Sequence, residues 1–195
     1  MVLNPFAYFD CLCVGVRLHR FLGNFSIPEI HLFSYLACLL SLYKGRPVSE
    51  WNYDFSITLN GYPYSADLDS SIKNLIDSGY FKAQNRYIEI AAAGEKVYYD
   101  LMNLTLNSNR EPFIDGACAS VLSLPIGVIR SAISQESEID TAIALSQSRK
   151  LLTDAGLTIL YDQFKALSSV ISLDIEDLMV PSVVWLSCLS EIQNS

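Results

Sequence analysis

Two histidines, His19 and His31, and five cysteines, Cys11, Cys13, Cys38, Cys118 and Cys188, are the side chains best suited to metal or nucleophilic chemistry. Their spacing supports neither. Zinc ligands come in pairs a few residues apart, so that several can converge on one ion. Cys11-x-Cys13 is too close for this and falls within a helical pattern. The sequence has no H-E-x-x-H, no G-x-S-x-G and no G-x-x-x-x-G-K-[ST], so no metalloprotease, esterase or P-loop nucleotide hydrolase is expected. No catalytic residue, metal or cofactor is therefore assigned. His31, on an apolar helix, reads as a hydrogen-bonded structural histidine. The odd number of cysteines, in apolar surroundings, reads as buried, reduced thiols of a cytoplasmic protein.

The charged residues point to partners instead. Asp67, Asp69 and Asp77 share one expected helix with a single base, Lys73. DNA presents phosphates first, so such a helix is poorly suited to the major groove. A solvated acidic face or contact with a basic protein surface suits it better. Bases gather elsewhere. Lys44 and Arg46 end the second helix, and Lys82 and Arg86 flank an expected hairpin interleaved with Tyr80, Phe81 and Tyr87. These four bases could contact DNA backbone; the competing reading is ordinary solubilising charge. Near the C-terminus, Val184, Trp185, Cys188 and Leu189 offer an aromatic anchor of the kind that dominates protein interfaces. Here the competing reading is that Trp185 completes the protein's own core.

These groups are carried by a chain of 195 residues, 51% hydrophobic and 17% charged, which is enough for one domain or two small ones and excludes a disordered tail. Its 13 basic and 21 acidic residues leave a net charge of −8. The longest charge-free stretches, 30–43 and 116–129, fall short of the roughly 20 apolar residues of a membrane span. The N-terminus lacks a basic leader and is interrupted by Asp10, so neither a secretory signal nor membrane attachment is expected. Residues 1–110 hold 9 bases and 10 acids, whereas 111–195 hold 4 and 11. That asymmetry, with the polar seam TLNSNREP at 105–112, predicts two units, 1–108 and 109–195.

The spacing predicts a first helix over 5–21, capped by Asn4 with Pro5 at its first position. Ser26-x-x-Glu29 forms a capping box for a second helix, apolar nearly all round, that ends at Gly45 and Pro47. A strand-like segment follows over 51–58, then a turn at Asn60-Gly61-Tyr62-Pro63. A helix capped by Ser65 runs to Ser78, and Gly79 stops it. Short strands at 80–81 and 87–90 flank a turn at Gln84-Asn85. The next helix turns Val97, Leu101 and Leu104 inward. Helix, strand, helix, strand, strand, helix is the order of a winged helix. The rest reads as helical: 114–124 up to Pro125, 128–133, and a long helix opened by Ser137-x-x-Asp140. Its stripe is Leu145, Leu152, Gly156, Leu160, Phe164, Leu167 and Ile171. Gly156 is a close-packing point or a kink. Asp174 is positioned to cap a last helix containing Pro181. The expected class is mainly α (α+β), a winged-helix-like N-terminal unit followed by a helical one.

Several stretches resemble a known family. Asn4-Pro5-Phe6-Ala7 is similar to the opening of the middle components of bacterial ABC-three-component conflict systems. Gly61-Tyr62-Pro63-Tyr64-Ser65-Ala66-Asp67-Leu68, with Gly79 beyond it, resembles the winged-helix pattern shared with Panacea-type antitoxins, as does Tyr87-Ile88-Glu89-Ile90-Ala91-Ala92-Ala93-Gly94. Arg110-Glu111-Pro112-Phe113-Ile114-Asp115, with Leu124-Pro125, is similar to the start of the helical half of those middle components. Two departures stand out: Tyr62 is inserted between Gly and Pro, and Ala91 replaces a capping Thr. The resemblance implies a non-catalytic subunit working beside an SMC-like, ABC-type ATPase and a nuclease or other effector. This is the arrangement of Lamassu-type defence against phage and plasmids, and any DNA contact by this subunit would be weak or indirect. The alternative is a winged-helix DNA-binding regulator or antitoxin; an unrecognised enzyme is the third reading.

Overall fold

The computed structural model describes residues 3–58, 61–171 and 176–192. It is mainly helical, with two small antiparallel hairpins. The first two helices follow from their caps. In α1 (Pro5–Leu22) the Asn4 side chain accepts from the Phe6 N–H at 3.0 Å and from the Ala7 N–H at 3.4 Å. At the start of α2 (Ile27–Tyr43) the Glu29 carboxylate accepts from the Ser26 N–H at 2.7 Å, the returning half of the expected capping box. Every residue of α2 from Glu29 to Tyr43 is buried. It packs against α1, α3 (Ala66–Asp77), α6 (Glu111–Ala119), α9 (Asp154–Val170) and α10 (Met179–Ile192). Leu32, Phe33, Leu36, Leu39 and Leu40 each gain about 1.5–3 kcal/mol from such burial.

The expected strand over 51–58 is mostly something else. Val48–Trp51 is a 3₁₀ turn, and only β1 (Ser56–Ile57) pairs, with β2 (Pro63–Tyr64). The expected turn position Asn60 lies outside the described residues. β3 (Phe81–Gln84) and β4 (Tyr87–Ile90) form a hairpin as expected, but the first strand runs on to Gln84, which pairs with Tyr87, so the turn falls at Asn85-Arg86. Phe25 bonds both ways with Ile88 along the outer edge. In α4 (Ala92–Met102) the buried side chain is Tyr98; Val97 and Leu101 are half-buried and Leu104, expected inward, is 55% exposed. The helix ends at Met102, so Leu104 falls off its periodic face.

The expected boundary at 108 does not separate two cores. α6 packs on both α1 and α2, one hydrophobic cluster runs from Ala7 to Leu189, and a short helix, α5 (Thr105–Ser108), occupies the seam. Charge asymmetry reports on surfaces, and here apolar contact crosses it.

The long helix expected from Ser137 is two helices. α8 (Ser137–Ala144) is capped by Glu136, which accepts from the Glu138 and Ile139 N–H groups at 3.2 Å; the Ser137 hydroxyl merely donates to Glu136. After α8 the chain leaves helical geometry, with Ser146 and Leu152 at φ +51° and +58°. Tertiary bonds compensate: Ile57 N–H donates to Arg149 O and Leu151 N–H to Phe55 O, both at 2.9 Å. The buried Glu138 carboxylate accepts from Leu152 N–H at 2.6 Å. Gly156 is the close-packing point in α9, because a Cβ there would come within 2.0 Å of the Glu138 carboxyl carbon. α7 (Ile126–Ser134) follows Pro125. In α10 Pro181 sits in the first turn, where a missing N–H costs little. Asp174 lies outside the described residues; Asp177 instead accepts from Met179 N–H at 2.9 Å. No single helix among the described residues is long and apolar enough to cross a membrane.

Candidate interaction surface

α10 carries the three residues expected at a partner interface. Trp185 is only 5% exposed and belongs to the core. Its indole N–H donates to Gln163 Oε1 on α9 at 3.1 Å, and its ring lies 5.7 Å from Phe164. Phe164 meets Tyr43 of α2 edge-on at 5.9 Å, so the expected anchor is the end of an internal aromatic stack. Leu189 is also buried, and Val184 is half-buried. All three nevertheless border one open groove of about 370 Å³ between α9 and α10, with Gln163, Ala166, Leu167, Val170 and Cys188. Val170 is 83% exposed at its edge. Of the two sequence readings, Trp185 thus takes the second and completes the protein's own core, and its remaining edge forms one wall of this groove.

The four expected DNA-contacting bases do not converge. Lys44 and Arg46 follow the C-terminus of α2, whereas Arg86 shares a hollow with Ser26 and Glu29 at its N-terminus. Seventeen residues separate those ends by about 26 Å along the helix. Arg46 lies over the Phe113 ring at 4.8 Å and donates to Asn109 O at 3.3 Å. Lys82 faces Glu89 at 3.7 Å, beside Arg86 and the half-exposed Tyr87. On α3, Lys73 is held by Asp69 at 2.7 Å, leaving that helix without a free base.

A centre that spacing did not reveal lies beneath α1. Asp10 is fully buried, and Arg110 grips it through Nε–Oδ1 at 3.0 Å and Nη2–Oδ2 at 2.5 Å. The Tyr53 hydroxyl donates to the same carboxylate at 2.7 Å. The guanidinium lies 4.0 Å from the Trp51 ring and 5.2 Å from Phe6. Burial opposes the Arg110 charge, but Asp10 outweighs it and holds the guanidinium pKa above its usual value. This centre joins the Asn4-Pro5-Phe6-Ala7 and Arg110-Glu111-Pro112-Phe113 stretches, a hundred residues apart. Its one legible signal was Asp10 itself: a lone acid on an apolar helix needs a buried cation.

His31 is the structural histidine expected. Its Nδ1 accepts from the Ser65 N–H at 3.2 Å, its ring stacks on Tyr64, and burial pushes its pKa down to about 4. Four of the cysteines are buried free thiols, and burial raises the Cys38 pKa; Cys188, expected inside, is exposed because it faces the groove. No cluster of three or more metal-binding side chains occurs among the described residues. Compared with known proteins, the chain matches no family model, no curated protein and no solved structure.

Proposed function

We propose that this protein is a non-catalytic docking subunit of an SMC-like ATPase complex that defends bacteria against phage or plasmids, with a winged-helix-like N-terminal part. It works in the cytoplasm beside the ATPase and a nuclease or other effector. The observation that carries this reading is the apolar groove between α9 and α10, open along Val170 and Val184. Exposed apolar surface of this kind marks interfaces. The bases Lys44 and Arg46 lie at the other end of α2 from Lys82 and Arg86, an arrangement that does not favour a regulator gripping one DNA backbone.

The test is co-elution of the full chain with the SMC-like ATPase encoded in the same genome. Stable co-elution, lost in Val184→Lys at an unchanged melting temperature, supports docking. No co-elution, together with tight duplex binding that falls steeply with salt and is abolished by Lys82→Glu plus Arg86→Glu, establishes the DNA-binding regulator instead.

A further inference from the structure

A second groove, of about 670 Å³, runs between α1, α3, α4 and α5. Tyr8, Asn74, Val97, Leu101, Leu104 and Leu106 line it, and the last two are 55% and 65% exposed. Two exposed leucines bordering one apolar groove make a contiguous patch of the kind that marks an interface. The flanks are acidic. On α3, Asp67 and Asp77 lie seven residues before and three after Asn74, which places them on its face of the helix. On α4, Asp100 lies three residues after Val97. Among the described residues none of these carboxylates is in an ion pair; the bases on the two helices are Lys96 and Lys73, the latter bonded to Asp69. α4 contributes Val97 and Leu101, one turn apart, α3 contributes Asn74, and the start of α1 and the turn at 104–107 complete the lining.

We propose that this groove seats an amphipathic helix of a protein partner, with Leu or Ile along one face and Lys or Arg beside it. The apolar floor takes the leucines at i, i+3, i+4 and i+7, and the aspartates receive the bases. The inference stands apart from the α9–α10 groove and from the function proposed for it.

The probe is a pair of synthetic amphipathic helical peptides with identical Leu faces, flanked by Lys or by Glu, titrated against the full chain by fluorescence anisotropy. The Lys-flanked peptide should bind about tenfold tighter or better, and added salt should narrow the gap. Leu104→Glu plus Leu106→Glu should abolish binding with the melting temperature unchanged, since both positions are exposed. Asp77→Lys plus Asp100→Lys should reverse the preference, while Val170→Asp should leave it intact. Equal affinity for both peptides, or binding that survives the leucine changes, overturns the proposal.

Discussion

α2 and α10 are both strongly apolar helices, but they meet different surroundings. α2 is buried throughout from Glu29 to Tyr43, and two of its polar groups find partners inside the protein, His31 at the Ser65 N–H and Ser41 at Cys38 O, while the Ser34, Tyr35 and Tyr43 hydroxyls are buried without one among the described residues. α10 buries Trp185, Leu186 and Leu189 but leaves Val184 half-covered and Cys188 exposed along an open groove. Apolar composition therefore does not distinguish a helix buried throughout from one left partly open here. What distinguishes them is whether a neighbouring helix arrives, and α9 closes over only one flank of α10. The same contrast holds for polar groups. The Asp10–Arg110 centre is a charge pair enclosed and fully partnered, whereas the aspartates beside the second groove face solvent with no base bonded to them.

The largest effect expected from breaking the enclosed side is at Arg110. Arg110→Ala should cost about 3–5 kcal/mol in chemical denaturation, because Asp10 would stay buried without its cation. Asp10→Leu combined with Arg110→Met should recover most of that loss. If Arg110→Ala were neutral, the pair would not tie α1 to the start of α6.

The α2 interior should next reveal itself through pH. The His31 pKa is about 4 in the fold and 6.5 when unfolded, so the unfolded chain takes up the proton first. The stability contributed by neutral His31 is complete above pH 6.5 and falls as pH drops toward 4, by about 3 kcal/mol. Denaturation at pH 7 and pH 4.5 should show the loss, and His31→Gln should flatten it. An unchanged slope would mean that the imidazole is solvated.

The smallest effect on stability should come from the open side. Val170→Asp, at a position 83% exposed, should shift stability by no more than about 0.5 kcal/mol while abolishing ATPase co-elution. A large destabilisation would move this edge of the groove into the core and erase the contrast between the two helices.

Local chemistry was legible in the chain itself. Asn4 with Pro5, Ser26 with Glu29, the apolar α2 and the existence of the β3–β4 hairpin all follow from residues within a few positions of one another, so caps, periodicity and turn residues determine them. The choice between close packing and a kink at Gly156, by contrast, is made by Glu138 on another helix. The groove residues Val184, Trp185 and Leu189 were also identifiable as a cluster, but not which of them faces outward. That was decided by Gln163 and Phe164, which bond and pack against the indole from another helix. The break at 145–153 was equally hidden. Leu145 and Leu152 fit a helical stripe, yet bonds from Phe55, Ile57 and Glu138 draw the segment into extended backbone. The meeting of Asp10 with Arg110 likewise needs α1 and the start of α6 to be brought together across a hundred residues. Spacing carries information over a turn or two of helix; partners for buried charges, loop paths and the exposed side of an apolar helix depend on contacts between segments far apart in the chain, and only the tertiary structure supplies those.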